Sequence, residues 1–128
     1  MSIPWVKHLS VILMTLMLVA CSDPTPVPSD KTQYVGLWVA SDRYISIFSN
    51  GRLEYKEKLK WGFHNRIQGN FEFAGNQIRS IMFSSFTIDV KPSQNNGQWQ
   101  MVLDGIPYRK VGPPITYGRS NIWPEGVE

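Results

Sequence analysis

Apolar and polar residues alternate with a period of two along most of the chain between Tyr34 and Val111. In the clearest run, Arg52–Trp61, charged side chains share one face and apolar ones share the other: Leu53, Tyr55, Leu59 and Trp61. This alternation is typical of a half-buried antiparallel strand, and no stretch has helical spacing. Seven further strands are predicted: Val35–Ser41, Arg43–Ser49, Ile67–Ala74, Gln77–Ser84, Phe86–Val90, Gln98–Leu103 and Ile106–Val111.

Two glycine-containing turns predict the register of neighbouring strands. Asp104-Gly105 and Gly75-Asn76 each suit a two-residue hairpin loop. Either loop places apolar residues opposite one another, and the second also sets an acidic residue opposite a basic one. The predicted pairs are Leu103 with Ile106, Met101 with Tyr108, Phe73 with Ile78 and Glu72 with Arg79.

The turn around Gly51 requires a longer loop. A two-residue loop would set Ile47 opposite the charged Glu54, whereas a three-residue loop, Ser49-Asn50-Gly51, sets Ile47 opposite Leu53. A shift of one residue moves every side chain to the other face of the strand. We therefore predict the three-residue loop, with Gly51 in the left-handed conformation. It also pairs Ile45 with Tyr55 and Arg43 with Glu57.

About eight short strands joined by tight turns predict an all-β domain, an antiparallel meander that closes into a small barrel or cup over residues 34–111. The stretch from Pro92 to Gly97 is predicted to be a loop. Residues 112–128 are predicted to form an irregular C-terminal tail containing Tyr117, Ile122 and Trp123.

The N-terminal region has a different composition. Residues 1–20 combine Lys7 with a short apolar core and are predicted to be a signal peptide that is removed. Residues 21–33 contain Pro24, Pro26 and Pro28, which favour an extended tether without helix or central strand.

The four residues Leu18-Val19-Ala20-Cys21 resemble the bacterial lipobox. The resemblance implies lipidation of Cys21 and anchoring in a membrane through its acyl chains, for which two or more chains suffice. The alternative is an ordinary signal peptide or anchor helix with an incidental cysteine. Because Ser22, and not an acidic residue, follows Cys21, the resemblance implies delivery to the bacterial outer membrane, facing the periplasm.

A second resemblance concerns the barrel. Gly36-Leu37-Trp38 is similar to the Gly-x-Trp start of lipocalin-like domains. The region 34–111 also resembles small bacterial envelope lipoproteins, in which an Asn/Asp-Gly hairpin and a closing Asp-Gly hairpin ending in Arg recur. Here the closing hairpin is Trp99–Arg109. The resemblance implies a lipocalin-like barrel and no catalytic residues.

Charge and candidate chemistry exclude several classes of function. Without Lys7 the chain has 12 basic and 10 acidic residues, and the basic ones are too scattered for a nucleic-acid-binding surface. His64, predicted to lie in a turn, is the only histidine after residue 20 and has no catalytic constellation. The sequence contains no cluster of metal ligands and no phosphate loop. We expect neither an enzyme nor a bound cofactor.

Two groups of residues are candidates for binding. Glu57 is predicted either to pair with Arg43 or to act as a polar group in a ligand cavity lined by Trp38, Tyr55, Trp61, Trp99 and Tyr108. In a small barrel these aromatic residues are more often simply core. A second, outward-facing strip consists of Tyr44, Phe48, Ile81 and Phe83. The tail with Trp123 either covers this strip or joins it in binding an envelope protein partner.

Three functions are consistent with these features. The favoured one is a membrane-anchored, non-enzymatic lipoprotein that serves as a structural or interaction module of the cell envelope. The alternatives are a carrier of a small apolar ligand and an inhibitor of a cell-wall enzyme.

Overall fold

The structure is a computed structural model, and it describes residues 24–80 and 85–128. Eight antiparallel strands follow one another around a closed barrel in sequence order, and the last pairs with the first. The all-β meander is therefore confirmed. The strands are β1 (Gly36–Val39), β2 (Arg43–Ile47), β3 (Arg52–Lys58), β4 (His64–Ala74), β5 (Gln77–Ser80), β6 (Ser85–Asn95), β7 (Gln98–Leu103) and β8 (Ile106–Gly112).

The predicted hairpin registers are confirmed. In the β2–β3 hairpin Ile47 lies opposite Leu53, and Gly51 has a φ of 88°, as the three-residue loop requires. The other turns give the expected pairs as well: Ile45 with Tyr55, Arg43 with Glu57, Phe73 with Ile78, Glu72 with Arg79, Met101 with Tyr108 and Leu103 with Ile106.

The interior of the barrel is occupied by its own side chains. Trp38 is fully buried, and its indole N–H donates a 2.8 Å hydrogen bond to the carbonyl of Tyr34. Burial of a large apolar side chain contributes about 1.5–3 kcal/mol, so this cluster is the main source of stability. Its other buried members are Tyr34, Ile45, Ile47, Leu53, Tyr55, Phe71, Ile78, Phe86, Ile88, Met101, Leu103 and Tyr108.

The segment from Pro92 to Gly97 is not a loop, contrary to the prediction. Strand β6 continues to Asn95, and only Asn96 and Gly97 form the turn, both with positive φ. Pro92 is accommodated because the β6–β7 ladder shifts register between Val90 and Ser93. A proline without an amide donor is tolerated at such an irregularity.

Strand β3 is shorter than the alternation predicted. It ends at Lys58, which pairs with His64 at the start of β4, so the prediction of a turn at His64 is wrong. Residues 59–63 form the connection and include a 3-10 turn at Lys60–Gly62. The chain reverses there, and the alternation that continues through Trp61 no longer corresponds to a strand face.

The proline-rich segment does not behave as a free tether over its described part. The Val27 amide donates a 2.9 Å hydrogen bond to the carbonyl of Ser49, and the Val27 side chain packs against the core. A 3-10 helix follows at Ser29–Tyr34. Val27 lies between Pro26 and Pro28, which have no amide donor. Its own amide and its apolar side chain therefore make the contacts that hold this segment on the barrel. Cys21 and the predicted signal peptide lie outside the described residues.

The two ends of the barrel differ. The backbone of Thr25 lies directly against Gly51, in the β2–β3 turn. The β3–β4 connection lies at the other end of β3, about 20 Å away at the usual rise of a strand. The N-terminal segment therefore reaches the barrel at the end opposite to residues 59–63.

Candidate functional site: the C-terminal strap and the barrel ends

Residues 113–128, here called the strap, cross the outer face of β1–β3. Tyr117, Trp123 and Val127 pack on a second apolar cluster, formed by Leu37, Val39 and Tyr44. The Ile115 amide donates to the Ser46 hydroxyl at 2.8 Å, and the Glu128 amide donates to the Ser41 carbonyl at 2.8 Å. The strap contains no regular secondary structure, as predicted, but it is fixed along its length.

Beneath the strap lies a carboxylate. Glu54 is 1% exposed, and its two oxygens accept hydrogen bonds from both the barrel and the strap. The donors are the Tyr44 hydroxyl (2.6 Å), the Arg66 guanidinium (2.9 Å), the Tyr117 amide (2.8 Å) and the Gly118 amide (3.2 Å). Burial alone would raise the pKa of the carboxyl, but these donors outweigh it and hold the pKa below its usual range.

A buried ammonium group holds the next part of the strap. Lys56 is fully buried, and its Nζ donates to three strap carbonyls: those of Gly118 (3.2 Å), Ser120 (2.8 Å) and Ile122 (3.3 Å). Burial lowers the pKa of this amine, although the nearby Glu54 raises it in part. The barrel thus presents one carboxylate, which accepts from strap amides, and one ammonium group, which donates to strap carbonyls.

Trp123 closes the strap over the end of the barrel. Its ring packs edge-on against Tyr44, with centroids 5.9 Å apart, and against His64 at 6.0 Å. The ammonium groups of Lys56 and Lys58 lie 4.5 Å and 5.1 Å from its ring centroid, in cation–π geometry. His64 therefore makes a packing contact with the strap.

The residues of the predicted outward strip do not share one environment. Tyr44 is fully buried and contacts Trp123, so these two meet within one molecule. Phe48 is half-buried in the groove that also contains Thr116 of the strap. Ile81 and Phe83 lie outside the described residues. The hypothesis that the tail covers the strip is supported at Tyr44, the one strip residue seen in contact with Trp123.

Most of the predicted cavity-lining aromatic residues are core residues. Trp38, Tyr55 and Tyr108 belong to the interior cluster, and Trp99 packs against it. Burial raises the pKa of the Tyr55 hydroxyl to about 12. Trp61 is the exception: it is 90% exposed, because it lies in the connection beyond the end of β3. The expectation that Trp61 faces the interior is wrong.

Glu57 lies at an end of the barrel, where it forms the predicted ion pair with Arg43 beside a cavity. Its carboxylate pairs with Arg43 at 3.1 Å and accepts from the Asn65 amide at 3.0 Å. Arg43 also contacts Asp42 (2.8 Å) and donates to the Tyr55 hydroxyl (3.1 Å). A cavity of about 320 Å³ opens beside this group, lined by Tyr55, Glu57, Asn65, Arg66, Ile67, Ser85, Phe86 and Asp104.

Nothing in the pattern of alternation distinguishes Glu54 or Lys56 from other outward residues. Alternation placed both on the outward face of β3, which is correct, but outward residues are usually exposed and these are buried under a distant segment. The one feature of the sequence that could have indicated this burial is the tail, because its aromatic residues Tyr117 and Trp123 belong to no predicted strand and need a surface to pack on.

In residues 24–80 and 85–128 no group of three or more acidic, histidine or cysteine side chains is arranged to bind a metal ion. The same part of the chain contains no helix long and apolar enough to cross a bilayer. Comparison with protein-family models, with curated proteins and with solved structures gives no match to this chain. The resemblance to lipocalin-like lipoproteins therefore stays a prediction.

Proposed function

We propose that the protein is a membrane-anchored bacterial lipoprotein that serves as a non-enzymatic structural or interaction module of the cell envelope, held by acyl chains on Cys21. The observation that carries the proposal is the position of the motif Leu18–Cys21, which ends four residues before the first docked residue, Thr25. A cysteine placed there can enter a membrane while the barrel remains folded beside it.

This position also determines how the barrel sits. From Cys21 to Thr25 an extended chain spans at most about 14 Å, much less than a tether of residues 22–33 would. The barrel end that contains Gly51 therefore lies close to the anchoring membrane. The end that contains the β3–β4 connection points away from it.

The described side chains support a module without catalysis. The buried Glu54 and Lys56 are engaged by the strap, and Arg43 and Glu57 are engaged by each other. A catalytic acid or base needs access to the proton that it transfers. These groups instead hold segments of the protein together.

Localisation is tested with Cys21→Ser. We expect the native protein to sediment with outer membranes and to incorporate labelled palmitate, whereas Cys21→Ser loses the label and leaves the membrane or accumulates as precursor. Ser22→Ala is the matched control and should retain both properties. An unmodified Cys21 thiol in the mature protein, found by mass spectrometry, would contradict the proposal.

A second candidate function is carriage of a small apolar ligand. The 320 Å³ cavity at the Glu57 end favours it, because this volume lies at the lower limit of ligand pockets and Ile67 and Phe86 give it apolar walls. Native mass spectrometry of the purified protein tests this function. A bound small molecule that Ile67→Trp excludes would support it, and protein free of any ligand would argue against it.

A further inference from the structure

The β3–β4 connection exposes an unusual group of apolar side chains. Trp61 is 90% exposed and Phe63 69%, and Leu59 between β3 and these residues is also exposed. Ile122 of the strap is 65% exposed, next to Trp123, which contacts Lys58 and His64, the two residues that flank the connection. These four are a majority of the seven large apolar residues that are exposed in the described chain.

The charged side chains of the two segments that form this group are all basic. Lys58 and Lys60 alternate with the apolar residues of the connection, and Arg119 lies in the neighbouring part of the strap. Residues 58–64 and 118–123 contain no Asp or Glu. The adjacent acids are Glu57 and Asp42, whose carbonyl accepts from the Lys58 amide, and both pair with Arg43. The group therefore combines exposed apolar side chains with a net positive charge.

The backbone of the connection is strained at Trp61, where it holds the indole outward. Trp61 has φ 68° and ψ 22°, in the left-handed region, which is strained for a residue other than glycine. Strain of this kind persists where the surrounding structure requires it and is concentrated at functional sites. Here Leu59 donates a 2.7 Å hydrogen bond to the Phe63 carbonyl, which closes the connection and leaves Trp61 at its tip.

We propose that this basic aromatic end of the barrel, formed by residues 58–63 and Ile122, inserts into the surface of an anionic lipid bilayer. Tryptophan is enriched at the boundary between headgroups and acyl chains, because its ring is apolar and its N–H is polar. Lys58 and Lys60 then lie at the level of the anionic headgroups. A neutral bilayer would engage the apolar side chains but leave the lysines without anionic partners.

The contact is separate from the Cys21 anchor. Thr25 docks at the opposite end of the barrel, against Gly51. The inference rests on described residues alone and does not depend on lipidation of Cys21. It goes beyond the proposed function, since it assigns a lipid-binding surface to the barrel itself.

Residues 22–128 are the material for the test, because they contain the whole closed barrel with its docked segment and strap and lack both Cys21 and the apolar leader. Binding is measured by co-sedimentation with vesicles of phosphatidylcholine alone and of phosphatidylcholine with phosphatidylglycerol in equal parts. We expect binding to the anionic vesicles only, and weaker binding as salt is raised.

The variants separate the two contributions. Trp61→Ala should weaken binding at least tenfold, and Lys60→Gln about fivefold, the equivalent of about 1 kcal/mol for one lysine near an anionic surface. Val90→Ala and Lys91→Gln are matched controls, because both residues are exposed elsewhere on the barrel. Circular dichroism verifies that each variant is folded.

Three results would overturn the proposal. The first is an absence of binding to either kind of vesicle, which would leave a protein or glycan surface as the ligand of this end. The second is equal binding to neutral and anionic vesicles. The third is binding that Trp61→Ala reduces no more than Val90→Ala does.

Discussion

The hydroxyl of Tyr44 donates a 2.6 Å hydrogen bond to Oε1 of Glu54, and both residues are buried under the C-terminal strap. Tyr44 lies on β2 and Glu54 on β3, on the outer surface of the barrel where solvent would be expected. Their burial shows that the barrel has two apolar layers, one inside the sheet and one between the sheet and the strap.

Glu54→Gln should destabilise the protein by about 2–3 kcal/mol. The amide keeps the shape of the side chain but points its own donors at groups that are donors themselves, and Arg66 loses its ionic partner. The free energy of unfolding in urea measures the effect. Glu72→Gln is the matched control, since Glu72 is exposed and its loss should cost under about 0.5 kcal/mol. Equal effects of the two variants would contradict the role assigned to Glu54.

Lys56→Met should loosen the strap while it preserves the packing of the aliphatic stem. The strap carbonyls of Gly118, Ser120 and Ile122 would lose their shared donor, at a cost of about 1–2 kcal/mol. Amide hydrogen exchange of residues 114–123 should become faster, and exchange in the β6–β7 hairpin should not change. Lys60→Met provides the control, and unaltered exchange in Lys56→Met would show that Lys56 does not hold the strap in place.

Acid should weaken the strap through Glu54. Burial would raise the pKa of its carboxyl, but the surrounding donors lower it below the unfolded value of about 4.3. The stability from this group is therefore present above the unfolded pKa and is lost as the pH falls through the folded pKa. The melting temperature of the native protein should fall more steeply below about pH 4 than that of Glu54→Gln. Parallel profiles would contradict this assignment.

Substitution of Gly51 should cost more than substitution of another turn glycine that also has a positive φ. Gly51 has φ 88°, and a Cβ there would collide with the backbone of Thr25. Gly75 has φ 60°, but a Cβ there meets no atom within 4 Å. We expect Gly75→Ala to cost about 1–2 kcal/mol from conformation alone, and Gly51→Ala clearly more. Equal losses of unfolding free energy would show that the Thr25 segment does not pack on this turn.

The strand order and the hairpin registers could be predicted from the sequence because local signals determine them. Alternation assigns the faces of each strand, and a wrong loop length at Gly51 would have set Ile47 against Glu54. The end of β3 could not be predicted in this way. Its alternation continues through Leu59 and Trp61 although the chain has already turned toward β4.

The strap site could not be predicted because it depends on a distant contact. The Lys56 ammonium bonds to a carbonyl 64 residues later in the sequence, at Ser120. Alternation shows which face a residue is on, but not what covers that face. The aromatic content of the tail suggested a cover, and only the structure assigns Glu54 and Lys56 as the groups that hold it.

Truncation after Gly112 tests most directly the central claim that the strap is an integral layer of this fold. Loss of Tyr117, Trp123 and the hydrogen bonds to Glu54 should lower the free energy of unfolding by about 3–5 kcal/mol. It should also increase the binding of a hydrophobic dye, because Tyr44 becomes exposed. Truncation after Gly126 is the control and should cost about 1 kcal/mol. Unchanged stability and dye binding after removal of residues 113–128 would contradict the claim.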